Sequence, residues 1–205
     1  MHFKDYSVVV SEGVETGEGY VKMSHGQQYV IRLRNRKDSR CNAAVMVDGK
    51  EIGTFRLNGY GHLELERPPD DTGRFTFYRV WSNEARQAGL GNVNKLELGL
   101  IQVTFTPEKP PVSLASWSAP YAERGMVGSL GEPEASVTFD ATPAGAAAGG
   151  TGLSGHSNQG FVNVASMNLD YDNAVTISLR LIADDDIRPL KPVSSNQTFV
   201  PPPIE

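Results

Sequence analysis

An Asp-Gly pair between two apolar runs restricts the fold of this chain more than any other feature. Asp48 and Gly49 separate residues 43–47 from residues 50–57. A two-residue type I′ turn needs positive φ at both central positions, and Asp followed by Gly is among the pairs that supply it. Such a turn joins antiparallel strands, whereas parallel strands need a long crossover. The sequence therefore predicts a β-hairpin here, with an antiparallel sheet around it.

Several other runs alternate apolar and polar residues or are rich in β-branched residues, as half-buried strands are. These runs are residues 6–10, 28–35, 62–66, 74–80 and 97–105. The chain also holds 21 glycines and 13 prolines, and abundant turn formers favour many short elements. Ser82 is placed to cap a short helix that Gly89 would end. We therefore predict an all-β fold, an antiparallel β-sandwich of jelly-roll or immunoglobulin-like type, over residues 1–108.

The sequence becomes irregular after Pro107. A Gly-Ala-rich run covers residues 145–152, and three consecutive prolines stand at 201–203. The clearest strand pattern in this half lies near residues 174–182. A compact domain rarely carries so much irregular chain on its own account. We therefore interpret residues 109–205 as a loop-rich Pro/Gly extension with one or two further strands, serving as an assembly arm along neighbouring subunits; a second domain is the alternative.

Composition argues against several classes of function. A net charge of −5 disfavours nucleic-acid binding, which depends on clustered Lys and Arg. Cys41 is the single cysteine, so no internal disulfide can form, and its apolar neighbours predict a buried thiol. The four histidines lack metal-ligand spacing, and we expect no metal site. The chain has no basic start followed by an apolar run and no stretch of about 18 apolar residues, so we expect a soluble protein made in a cytoplasm.

The sequence contains no pattern typical of a catalytic site. Ser154 and His156 are neighbours, but residues 152–155 do not form the G-x-S-x-G elbow that presents a nucleophile. The three aspartates at 184–186 lack the alternating ligands of a calcium loop, and we interpret them as a solvated strand end. We therefore expect no catalytic, cofactor-binding or metal-binding residues, no cofactor and no enzymatic activity.

Several short motifs stand in order between residues 28 and 108. They are Tyr-Val-Ile-Arg-Leu-Arg-Asn at 29–35, Val-Asp-Gly-Lys at 47–50, Gly53, Arg-Leu at 56–57, Glu-Arg-Pro at 66–68, Phe-Thr-Phe at 75–77 and Leu-Gly-Leu-Ile-Gln-Val-Thr-Phe at 98–105. Together they resemble a small β-sandwich domain of uncharacterised phage and virus structural proteins of the capsid-decoration kind. The resemblance covers about half of the chain and implies a place in a virion; it carries over no catalytic residue.

The resemblance and the predicted arm together imply a capsid decoration or cement protein that stabilises a phage-like capsid. Its expected location is the virion, and its expected partners are the major capsid protein and copies of itself, a trimer being one possible form, with no nucleic acid and no membrane. Extended arms would supply interface area without a large core. The alternative is a glycan- or host-surface-binding module of a spike or fibre, with Trp81, Trp117 or Tyr121 in a shallow groove.

Overall fold

Strands dominate the computed structural model of the protein, which describes residues 1–16, 18–90, 96–110 and 147–184. In chain order the elements are β1 (His2–Phe3), β2 (Tyr6–Val10), β3 (Val14–Glu15), β4 (Tyr20–Met23), β5 (Ile31–Asn35), β6 (Cys41–Val47), β7 (Lys50–Leu57), β8 (His62–Leu65), β9 (Arg74–Arg79), α1 (Asn83–Gln87), β10 (Leu100–Pro107), β11 (Gly149–Ser154), a 3-10 helix (Tyr171–Asn173) and β12 (Val175–Ala183). The prediction of an all-β fold is confirmed.

The strands form two main sheets around one core. β1-β2-β5-β8 make a four-stranded sheet, and β3-β4-β12-β10-β6-β7 make a six-stranded sheet. Tyr6 of the first sheet stacks on Phe105 of the second, with ring centroids 4.6 Å apart. β11 and β9 form a third, two-stranded sheet. The architecture is therefore a β-sandwich, with its buried side chains between the two main sheets.

The Asp-Gly hairpin forms as predicted. β6 and β7 pair antiparallel, with Val47 opposite Lys50. Asp48 and Gly49 have φ of 51° and 72°, the left-handed values that a type I′ turn requires. Local sequence therefore fixes the register of this hairpin, which brings β7 to the edge of the six-stranded sheet.

Other local signals also agree with the structure. On β5, Ile31 and Leu33 are fully buried, whereas Arg32 between them is exposed, as the alternating pattern predicts. Helix α1 follows Ser82, whose Oγ accepts a hydrogen bond from the Ala85 N–H at 2.9 Å. The predicted helix cap is confirmed, because the hydroxyl satisfies an N–H that has no partner within the helix.

The strand predicted near residues 174–182 is β12, which lies in the middle of the six-stranded sheet. It pairs antiparallel with β10 and parallel with β4, so this sheet is mixed where the sequence indicated only antiparallel pairs. The four residues of β4 were too few to show an alternating pattern. β12 thus belongs to the same sheet as strands from the first 108 residues, and the predicted domain boundary does not separate it from them. Residues 111–146 and 185–205 of the predicted arm lie outside the described residues.

The glycine-rich run contains β11, so residues 147–184, the described part of the C-terminal half, supply two strands, β11 and β12. β11 pairs antiparallel with β9. A Cβ atom on Gly149 would lie 2.0 Å from Phe77 Cζ, and one on Gly152 would lie 2.6 Å from Tyr78 Cε2. Glycines therefore let the β11 backbone lie directly on two aromatic rings, where any side chain would clash.

Candidate functional site: a cleft between β7 and β11

A cleft lies between β7 and β11, and it is the candidate site of the described residues. It consists of two adjoining cavities of about 210 and about 400 Å³, which share lining residues from both strands. Ile52 and Leu153 give the smaller cavity apolar walls, and the buried side chains of Val47 and Phe75 also line it. Such a cavity accepts apolar side chains from a ligand that lies along the two strands.

Carboxylates outnumber cations around the smaller cavity. Glu51, Asp70 and Asp71 line it and are exposed, and Lys50 is the one exposed cation among its described lining residues. Charges placed in this way favour a ligand with basic groups and disfavour an acidic one. The cleft therefore combines apolar walls with an acidic rim.

Asp48 fixes the inner end of the cleft. It is only 4% exposed, and its carboxylate accepts hydrogen bonds from the Gly99 N–H at 2.5 Å and the Thr151 N–H at 2.6 Å. Tyr29 Oη and Thr151 Oγ1 lie 2.6 Å apart. Hydrogen bonds to an ionised acceptor are stronger than those between neutral groups. The hairpin turn is thereby tied to β11 and to the loop before β10.

Arg180 supports the same loop from β12. Its guanidinium donates hydrogen bonds to the carbonyl oxygen of Leu98 at 2.6 Å and to that of Leu96 at 2.9 Å. Burial lowers the pKa of Arg180 to about 10, and nearby Tyr20 and acidic groups act in the opposite direction. The group thus keeps its charge at neutral pH. Because these two hydrogen bonds go to backbone carbonyls of one loop, we interpret Arg180 as a structural support of the cleft.

Arg67 holds the loop that carries Asp70 and Asp71. Its Nη1 donates to the carbonyl oxygen of Pro68 at 2.8 Å and to that of Asp71 at 2.5 Å. The guanidinium also lies over the ring of Phe161, 4.8 Å from the centroid. Since the guanidinium is planar and its donors have fixed directions, these contacts hold the loop in one arrangement. The acidic rim is therefore formed before any ligand arrives.

The segment that follows β11 covers an exposed strand edge. The Gln159 side-chain amide imitates a peptide group, because its Oε1 accepts from the Glu66 N–H and its Nε2 donates to the Glu64 carbonyl. This covers the edge of β8, which is the last strand of the four-stranded sheet. Beyond it, Val162 and Val164 are 85% and 55% exposed. These two valines form a second apolar surface outside the cleft.

Ser154 and His156 are not brought together as a catalytic pair. Ser154 Oγ lies 2.7 Å from Thr76 Oγ1, and His156 Nε2 lies 3.0 Å from Asn158 Oδ1. Each side chain therefore has a different partner, and the nucleophile–base contact that such chemistry requires does not appear among these hydrogen bonds.

Of the three aspartates at 184–186, the structure describes only the first. Asp184 forms an ion pair with Lys22 at 3.8 Å, and residues 185–186 lie outside the described ranges. Within those ranges, no group of three or more His, Cys, Asp or Glu side chains could hold a metal ion. In the part of the chain that the structure describes, no helix is long and apolar enough to cross a membrane.

Trp81 is the one aromatic candidate for glycan binding that the structure describes. Its side chain is 69% exposed, and its φ is 70°, a left-handed conformation that a bulky residue seldom adopts. Trp117 and Tyr121 lie outside the described residues. The predicted three-ring groove therefore reduces, in the described structure, to a single exposed indole.

Sequence reasoning missed the cleft because its two walls are about a hundred residues apart. Leu153 lines the same cavity as Ile52 because β11 pairs with β9 and Asp48 bonds to Thr151. The spacing of glycines at 149, 150 and 152 was the available signal, since repeated glycines in a strand often mark the close approach of another group.

The fold and the cleft define an all-β sandwich protein with a preformed groove beside an edge strand. Comparison with known proteins adds no relative: no family model matches the chain, and no curated protein and no solved structure is found to match it. The features that bear on function are therefore the cleft itself and the residues that surround it.

Proposed function

We propose that the protein is a virion structural protein, a capsid decoration or cement protein that holds neighbouring chains together. The observation that carries the proposal is the preformed cleft between β7 and β11, with apolar walls and an acidic rim. Its partners are the major capsid protein and further copies of this chain, and it acts in the virion. The resemblance of residues 28–108 to decoration-like proteins of phages and viruses supports the same role.

The cleft is suited to gripping an extended segment of a partner. Arg67 and Asp48 hold its two sides before binding, so less conformational entropy is lost when a segment enters. A stable interface buries about 1,200–2,000 Å² in total, more than one small cleft supplies. Additional area would come from the exposed Val162 and Val164 and from extended segments of the chain.

Sedimentation velocity of the full chain, alone and mixed with purified capsids, tests this proposal. We expect wild-type protein to self-associate and to co-sediment with capsids. Leu153→Asp places a charge on an apolar wall of the cleft and should weaken both interactions. Val14→Asp is the matched control, because Val14 is 66% exposed on β3, away from the cleft, and should behave like wild type. A wild-type monomer that does not bind capsids would contradict the proposal.

A second candidate function, glycan binding by a spike or fibre module, is favoured by Trp81. An exposed indole held at positive φ is a costly arrangement, and such strain is found more often at binding sites than elsewhere. Aromatic rings stack on the apolar faces of sugars. A glycan array probed with wild type and with Trp81→Phe and Trp81→Ala separates the candidates: binding lost only in the alanine variant supports this function, and an array without hits opposes it.

A further inference from the structure

The acidic cleft and a basic, proline-containing repeat near the C-terminus have complementary chemistry. Residues 187–193 read Ile-Arg-Pro-Leu-Lys-Pro-Val, so an apolar residue, a basic residue and a proline recur in that order every three residues. We name this segment the C-terminal repeat. We propose that the C-terminal repeat of one copy binds in the cleft between β7 and β11 of a second copy; this inference rests on the proposed assembly function.

The period of three matches one backbone conformation. A polyproline II helix has about three residues per turn, and proline favours it. In that conformation Ile187, Leu190 and Val193 would share one face, while Arg188 and Lys191 would share another. A segment in that conformation would present an apolar edge and a basic edge side by side, and the restricted φ of proline would reduce the entropy lost on binding.

The cleft has an apolar surface and an acidic surface, which match the apolar edge and the basic edge of the repeat. The apolar edge of the repeat would lie between Ile52 and Leu153, and the basic edge would face Glu51, Asp70 and Asp71. A helix about 10–12 Å across cannot enter a cavity of about 210 Å³, whereas single side chains of an extended segment can. Lys50 also lines the cavity, so the basic edge must lie toward the Asp70–Asp71 side.

The geometry of β12 favours binding between two copies over binding within one. Ala148 bridges Ile182 in an antiparallel sense, so the chain that leaves β12 heads away from Leu153 at the far end of β11. Asp184 is held by a hydrogen bond from its N–H to the Met23 carbonyl. From there to Ile187 the chain spans at most about 11 Å, because a residue adds at most ~3.6 Å.

Within one chain, the distance from the end of β12 back to Leu153 is larger than the span from Asp184 to Ile187. The Ala183 N–H bonds to the Ala147 carbonyl, and Leu153 lies six residues further along. Six residues of extended chain cover about 20 Å. Ile187 therefore cannot reach the Leu153 end of the cleft in its own chain. Leu190, six residues after Asp184, would reach it only as a fully extended chain that runs straight back against the direction in which β12 leaves, so a second copy is the occupant that fits.

Charge reversal on the two surfaces tests the pairing in full-length protein. A tail variant carries Arg188→Glu with Lys191→Glu, and a cleft variant carries Glu51→Lys with Asp70→Lys. Each variant alone should show a dimer dissociation constant raised about tenfold or more, since two attractive contacts become repulsive. A mixture of the two variants should form heterodimers of wild-type affinity, because reversed tail then meets reversed cleft.

Controls separate the effect from net charge and from misfolding. Asp5→Lys with Asp172→Lys changes two exposed carboxylates that do not line the cleft, and should leave association unchanged. Urea unfolding checks that the cleft variant keeps its stability. As a second measurement, chains carrying Leu153→Cys and Leu190→Cys should form a disulfide heterodimer when mixed, whereas Val14→Cys mixed with Leu190→Cys should not, because Val14 is exposed on β3 and does not line the cleft.

The outcomes distinguish this inference from the proposed function. Restoration of association on mixing, with a specific disulfide, supports the C-terminal repeat as the occupant. If both charge variants associate as wild type does, the inference is overturned, while the assembly function stands. If wild type does not self-associate, or if mixing does not restore association, the inference is also overturned, and binding of the chain to capsids then decides the proposed function separately.

Discussion

At the scale of single residues, Asp48 contributes to the structure in two ways, through its backbone and through its side chain. Its backbone adopts the positive φ of the hairpin turn, and its carboxylate binds two backbone N–H groups from different segments. The first task was predictable from the Asp-Gly pair, because turn chemistry is local. The second was not, because the groups that it binds come from Gly99 and Thr151, far away in the sequence.

Asp48→Asn separates the two tasks. Asparagine accepts the left-handed conformation, but its amide nitrogen cannot accept the second hydrogen bond. We expect a loss of about 1.5–3 kcal/mol in the free energy of unfolding, the range for a hydrogen bond to a charged group. Asp70→Asn is the matched control, since Asp70 is exposed and should change stability by less than ~0.5 kcal/mol. Urea unfolding measures both, and equal stability of the two variants would refute the role of Asp48.

Cys41 is predicted to be chemically inert in the folded protein. The side chain is fully buried, and desolvation raises the pKa of its thiol to about 12 although Lys37 opposes the shift. The reactive thiolate is therefore scarce at neutral pH. A coloured thiol reagent should label the native chain far more slowly than the urea-unfolded chain. Rapid stoichiometric labelling at neutral pH without denaturant would contradict this prediction.

At the scale of elements, the sequence predicted the longer strands with an alternating or β-branched pattern and missed β4, which is short, and β11, which is rich in glycine. β5, β6 and β7 were recognisable from alternation or from their turn, whereas β4 is too short to show a period. β11 was not recognised from the sequence, because its glycines are explained only by their close contact with aromatic rings. That contact arises only when β11 pairs with β9. The cleft was missed for the same reason, since it depends on where β11 lies.

Gly149→Ala tests whether β11 needs glycine. The new methyl group would lie 2.0 Å from Phe77 Cζ, so the ring or the strand must move. We expect destabilisation of about 1–3 kcal/mol by urea unfolding, as for other overpacked positions. Gly160→Ala is the control, because no atom lies within 4 Å of its added Cβ. If both variants are as stable as wild type, β11 does not lie on the Phe77 ring.

At the scale of the whole molecule, β12 joins the two halves of the chain into one sheet. It lies between β4 and β10, and its residues are buried along nearly their whole length. Loss of this strand would leave β4 and β10 each without a hydrogen-bonding partner on one side and would divide the six-stranded sheet, so the C-terminal half is needed for the fold as well as for any assembly role.

Buried acidic groups make the whole fold sensitive to alkali. Burial raises the pKa of Tyr6 and of Tyr20 to about 12, and it raises the pKa of Tyr29 still further. The folded state keeps these protons, and that of Cys41, at a pH where the unfolded chain has lost them. Stability is therefore complete below the ordinary values of 9.0 for Cys and 10.0 for Tyr, and it falls as pH rises from there toward 12.

Urea midpoints measured in steps from neutral pH to strongly alkaline pH check this prediction. They should be level below the ordinary thiol and phenol values and decline steadily above them. The triple comparison of wild type with Tyr29→Phe and Tyr60→Phe assigns the effect, because Tyr29 is buried whereas Tyr60 is 71% exposed. A midpoint that rises with alkaline pH would show that these side chains are not buried as described.

We propose above that this chain is a structural part of a virion. Quantitative mass spectrometry of washed particles, produced by the genome that encodes the chain, tests it most directly by counting copies relative to the major shell protein. We predict a fixed, stoichiometric ratio in wild-type particles and a strongly reduced one for Leu153→Asp. Particles that lack the chain, or that carry only a few copies at a ratio which varies between preparations, would contradict it.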